Sequence, residues 1–202
     1  MANQNLQISG KVSNEKIDNT ALVEAIGAMR NEFNADTQNK VINNALRSTF
    51  LVPAIIEKNQ ELVADKENHV QFQDKQTAKF LLINKNVKDE DGNEKTISYF
   101  PVFTSKETLD EMRKTTDQNF MPFAMKFADI ANLTENTPNV EGFVLDPFTR
   151  AHNLPFTKGM LESIKQTLIN FRNSRNAAVK AAEEATGESA PNITVNSNKE
   201  EV

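Results

Sequence analysis

Apolar residues along the chain fall into two kinds of spacing, and the changes between them mark the elements. Leu22, Ile26, Met29 and Phe33 recur at offsets of four, three and four, which is one face of a helix starting near Asp18 to Thr20. Val41, Ile42, Ala45 and Leu46 form a second stripe after Asp36, whose short side chain predicts an N-cap. Each helix has a single apolar stripe, so both need a surface to pack on. Short apolar runs supply it as strands. They lie at 49–52 (TFLV), halted by Pro53; at 78–84 (AKFLLIN); at 96–103; and at 140–145 (VEGFVL), halted by Asp146-Pro147. Proline removes a ladder donor, so each halt is expected to end its strand. Asp91-Gly92 lies between the second and third runs and predicts a hairpin, while Gln71-Phe72-Gln73 suits an edge strand.

After residue 103 the period becomes helical. One helix is expected from Ser105 to about Lys114. Another is opened by Met121-Pro122, with proline at the favoured first position and Phe120, Phe123, Phe127 and Ile130 at helical spacing. The predicted organisation is a tail at 1–16, an α/β domain at 17–156, a long helix at 157–186 and a second tail at 187–202. The polar, aperiodic tails read as disordered. The fold class is α/β, of the α+β type. It is a single domain with a mixed sheet of four or five short strands, two N-terminal helices, two middle helices and the long C-terminal helix.

Composition narrows the function more than the fold. At 202 residues the chain can bury one real core. Its formal net charge of -5 gives no global pull toward nucleic acid or an anionic membrane. It contains no cysteine, which excludes disulfides, thiolate nucleophiles and sulfur-ligated metals. The start has no basic segment followed by an apolar run, and no stretch has the length and apolarity of a membrane span, so a cytoplasmic location is expected.

The segment FPVFTSKETL (100–109) turns from strand to helix without a glycine. Thr104 and Glu107 have the spacing of a capping box, in which the threonine oxygen accepts from the glutamate N–H and the glutamate reaches back. That explains the corner without chemistry. The competing reading is an anion site at the helix N-terminus, using the Thr104 and Ser105 hydroxyls. Ser105 lacks the flanking glycines of a nucleophile elbow. ALRSTFLVP, FPVFTSKETL and GFVLDPF together resemble the N-terminal domain of the SseB (enhanced serine sensitivity) family over roughly residues 40–155. The resemblance implies a bacterial α/β domain with Asn-Pro where this chain has Asp146-Pro147. It implies no enzymatic activity, no agreed ligand and no catalytic residues.

Little else in the sequence carries chemistry. His69 and His152 are the only histidines, and neither sits in a zinc pattern. Residues 88–92 (KDEDG) lack calcium-loop spacing. Asp146, Arg150 and His152 cluster after a strand end, where α/β folds place sites; Asp-Pro also initiates turns, and Arg150 could pair with Asp146. In the long helix, Leu161, Ile164, Leu168 and Phe171 form a seam beside Lys158, Lys165 and Arg172, which repeat every seven residues. That basic ridge suits an acidic protein partner or a second copy of the helix in a homodimer; otherwise it is the solvated flank of a docked helix. The favoured function is a non-catalytic protein-binding or regulatory module. The alternative is a binder of a small metabolite, an amino acid by the family name, at a corner of Thr104, Ser105, Asp146 and Arg150. An enzyme ranks last, and no metal or cofactor is implied.

Overall fold

The computed structural model describes residues 17–64, 70–88 and 92–186. The predicted tails, His69 and residues 89–91 of the hairpin turn lie outside them. The order is α1 (Thr20–Asn31), α2 (Ala35–Arg47), β1 (Thr49–Ala64), β2 (Val70–Phe80), β3 (Ile83–Lys88), β4 (Glu94–Val102), α3 (Lys106–Arg113), β5 (Met121–Lys126), α4 (Phe127–Asn136), β6 (Val140–Leu145), β7 (Leu154–Thr157) and α5 (Lys158–Thr186). The mixed α/β class holds, with five helices among the described residues. The strands form two sheets rather than one, ordered β2-β1-β5 and β3-β4-β6-β7. The chain divides at the start of α5 into two units, Met1–Lys158 and Gly159–Val202.

The four-stranded sheet places its core by alternation. Phe100, Phe143 and Phe156 stand opposite one another across β4, β6 and β7, and Val102, Leu145 and Leu154 repeat the row two residues on. Phe127 of α4 meets this row edge-on, with its ring 5.5 Å from Phe143 and 5.3 Å from Phe156. Gly142 faces β7 so closely that a Cβ there would lie 2.1 Å from the Phe156 carbonyl oxygen.

The three-stranded sheet corrects two expectations. Pro53 does not end its strand, because β1 continues to Ala64. Leu51 exchanges both backbone hydrogen bonds with Phe103, so odd-numbered residues of β1 turn their polar groups away from β5. Pro53 therefore points its missing donor at the gap between Phe103 and the Leu81 N–H that its carbonyl accepts. The Leu51–Phe103 bridge joins the two sheets. Residues 121–126 form a strand, not a helix. Pro122 stands opposite Pro53 on an edge strand, where a missing N–H costs no ladder bond.

Other boundaries move for similar reasons. The run at 78–84 is split at Leu81-Leu82: its first part belongs to β2 and its last to β3, which pairs with β4 as the predicted hairpin. Asn34, not Asp36, caps α2 through a reciprocal box with Thr37. Phe33 lies beyond the end of α1 and is exposed, so it does not extend that helix face.

Candidate functional site

The corner between β4 and α3 is built differently from its predicted capping box. Ser105, one residue later than expected, is the N-cap: its oxygen accepts from the Thr108 N–H at 3.3 Å, and the Thr108 hydroxyl oxygen accepts from the Ser105 N–H at 3.3 Å. Thr104 is released from capping and fastened instead to Asp146. Its N–H donates to Asp146 Oδ1 at 2.9 Å and its hydroxyl to Oδ2 at 2.6 Å. Asp146 is fully buried, and its own N–H donates to the Val102 carbonyl at 2.8 Å. Its φ of +42° is a left-handed conformation that Asp and Asn adopt more readily than other non-glycine residues. The carboxyl thus closes the end of β6 onto the end of β4.

The loop 146–153 follows as two turns. The Thr149 N–H donates to the Asp146 carbonyl, and the His152 and Asn153 N–H groups donate to the Thr149 carbonyl. Arg150 is exposed and makes no ion pair with Asp146 among the described residues. Its carbonyl accepts from Arg30, whose guanidinium also donates to the Asn153 carbonyl. The predicted ligand corner is therefore only partly assembled. Thr104 and Asp146 bond each other, Ser105 caps α3, and Arg150 contributes backbone.

Two residues that the sequence did not mark complete the picture, Arg30 and Asn19. Asn19 precedes α1 and is buried, yet its side chain does not cap the helix. Its amide donates to the Thr49 and Thr104 carbonyls, each at 2.8 Å, tying α1 to the start of β1 and to the corner. Beyond it lies an open cavity of about 390 Å³ whose lining includes Asp18, Asn19, Thr104, Ser105, Glu107 and His152. Among the described residues no cluster of three or more His, Asp and Glu could hold a metal ion.

The basic ridge is also placed. Lys158 donates to the carbonyl of Thr137, the C-cap of α4, at 3.2 Å, a favourable position for a cation at a helix end. Lys165 pairs with Glu162 at 3.8 Å, and Arg172 is exposed. No helix among the described residues is long and apolar enough to cross a membrane.

The two-sheet architecture with an internally fastened strand-to-helix corner defines a small mixed α/β domain. Residues 22–163 match the model of the SseB protein N-terminal domain, and the chain belongs to that family. No curated protein and no solved structure matches it.

Proposed function

We propose that this SseB-family chain is a non-catalytic protein-binding module whose C-terminal helix takes an acidic, apolar-faced segment of another protein. The observation that carries this reading is the exposure of Leu168, Ile169 and Phe171, at 46%, 43% and 69%, within one turn of α5. Large apolar side chains gathered at a surface mark interaction sites, and an amphipathic helix is a common binding element. Residues 163–182 contain Lys165, Arg172, Arg175 and Lys180 and no acid, in a chain of net charge -5. That local sign favours an acidic partner and disfavours pairing with the same stretch of a second copy. The bonding of Ser105 and Asp146 within the corner supports a role without catalysis.

The chain purified from its host should carry one acidic protein. With that partner purified, Leu168→Glu combined with Phe171→Glu should weaken binding roughly tenfold or more, with the melting temperature unchanged. Undiminished affinity in the double variant would remove the helix from the function. A concentration-dependent dimer, abolished by the same changes in sedimentation velocity, would assign the surface to a second copy of the chain.

A further inference from the structure

The four-stranded sheet has a second face. Alternation turns Phe100, Phe143 and Phe156 to one side and the residues between them to the other. On that other side Ile83, Tyr99, Gly142 and Thr157 stand in one row across β3, β4, β6 and β7. Pro101, Val144 and Pro155 form the next row. The close approach of the Phe156 carbonyl requires glycine at 142. Its consequence on this face is a gap: the row carries side chains at Tyr99 and Thr157 and none between them. A sheet row interrupted in this way is a trough with a backbone floor.

A cavity of about 360 Å³ lies on this face, and the residues lining it all belong to the unit Met1–Lys158. Its apolar wall is Ile83, Val144, Pro147 and Pro155, beside the half-buried Tyr99 ring. Lys85 is the one charged residue among the described residues that line it. Neither Lys85 nor Tyr99 makes a hydrogen bond or ion pair with a described residue. The acid next to Gly142, Glu141, pairs instead with Lys95 at 4.0 Å. A mainly apolar hollow with a few polar groups at its margin is the usual build of a small-molecule site, and this volume is at the small end of that range.

We propose that this cavity binds a small aromatic carboxylate. Its flat ring lies in the trough over Gly142, against the Tyr99 ring and the Val144 and Pro155 side chains, and its carboxylate accepts from the Lys85 ammonium. The trough selects a flat body, because a ring can stack on tyrosine only if it is planar. The lone cation selects the negative charge.

Tyrosine emission reads this site alone, because Tyr99 is the chain's one tyrosine and there is no tryptophan. Phenylacetate, phenylacetamide and cyclohexylacetate, titrated into the full chain at constant ionic strength, separate the charge from the flat ring. Phenylacetate should change the emission saturably, at roughly millimolar concentration for a molecule of this size. Phenylacetamide keeps the ring without the charge, and cyclohexylacetate keeps the charge without the flat ring. Each should bind roughly fivefold or more weakly. Lys85→Met, at an exposed position of an edge strand, should weaken phenylacetate by a similar factor and leave phenylacetamide unchanged. That last comparison separates loss of the ammonium from damage to the fold. An emission change that is absent or only linear with phenylacetate, equal affinity for either analogue, or undiminished phenylacetate affinity in Lys85→Met would each overturn the proposal.

Discussion

Asp146 and Asn19 both bond Thr104 and are opposite in how their own polar atoms are met. Asp146 takes the Thr104 N–H and hydroxyl on its two carboxyl oxygens. Asn19 donates to the Thr104 carbonyl, while its own oxygen has no partner among the described residues. Thr104 is thereby bonded through its N–H, hydroxyl and carbonyl, and the corner is closed. The difference teaches where a ligand would gain something. A site whose donors and acceptors already satisfy each other has little to give, because any new bond must first break an old one. Asn19 Oδ1 and His152 Nδ1, by contrast, have no hydrogen-bond partner among the described residues. Asp146 grouped with Thr104 and Ser105 looks like chemistry, yet it is the fastening, and the unremarkable Asn19 carries the unmet atom among the described residues.

Removing the fastening should have the largest effect. Asp146→Ala leaves the Thr104 N–H buried without its acceptor and puts alanine at a positive φ. Loss of a buried partner costs about 1–3 kcal/mol, and an unsuitable left-handed residue adds to it. We expect a loss of about 3 kcal/mol in urea denaturation; a loss below 1 kcal/mol would mean the corner is not held this way. Asn19→Ala should cost less, about 2 kcal/mol, because it deletes two bonds but also removes a buried oxygen that has no partner among the described residues. If Asn19→Ala proved the more damaging, the contrast between closed and open sides would be reversed.

Arg30 tests the loop that carries His152. Arg30→Met deletes two exposed hydrogen bonds to the Arg150 and Asn153 carbonyls. It should leave global stability nearly unchanged while speeding amide exchange at His152 about fivefold, the equivalent of about 1 kcal/mol. Unaltered exchange there would show that the turn bonds alone hold the loop.

How much of this was legible depended on the range over which each interaction acts. The strand at 140–145 and the hairpin between β3 and β4 were readable, because alternation and a turn glycine are local signals. The division into two sheets was not. It occurs at Leu81-Leu82, inside an unbroken apolar run, and is imposed by partners from distant parts of the chain. Residues 121–126 misled because Phe120, Phe123 and Phe127 fit a helical period, while pairing with β1 decided for a strand. Asn19 carried no signal at all: the carbonyls it holds lie 30 and 85 residues away. The C-terminal seam was visible as spacing, and the exposure of Phe171 could be learned only from the structure.

The mildest substitution is the sharpest test of whether the corner is only a fastening. In Asp146→Asn the amide oxygen can still accept from the Thr104 N–H, and the amide nitrogen can donate to the Thr104 hydroxyl oxygen, which merely changes from donor to acceptor. Asn tolerates positive φ at least as well as Asp. The variant loses bonds to a charge, which are stronger than neutral ones, but it no longer buries that charge. The two changes should nearly cancel, giving less than about 1 kcal/mol in urea denaturation. This also accounts for how Asp-Pro and the Asn-Pro implied by the family resemblance can occupy the same turn. A loss as large as that of Asp146→Ala would show that the negative charge itself is required, and the corner would then have to be read as a site.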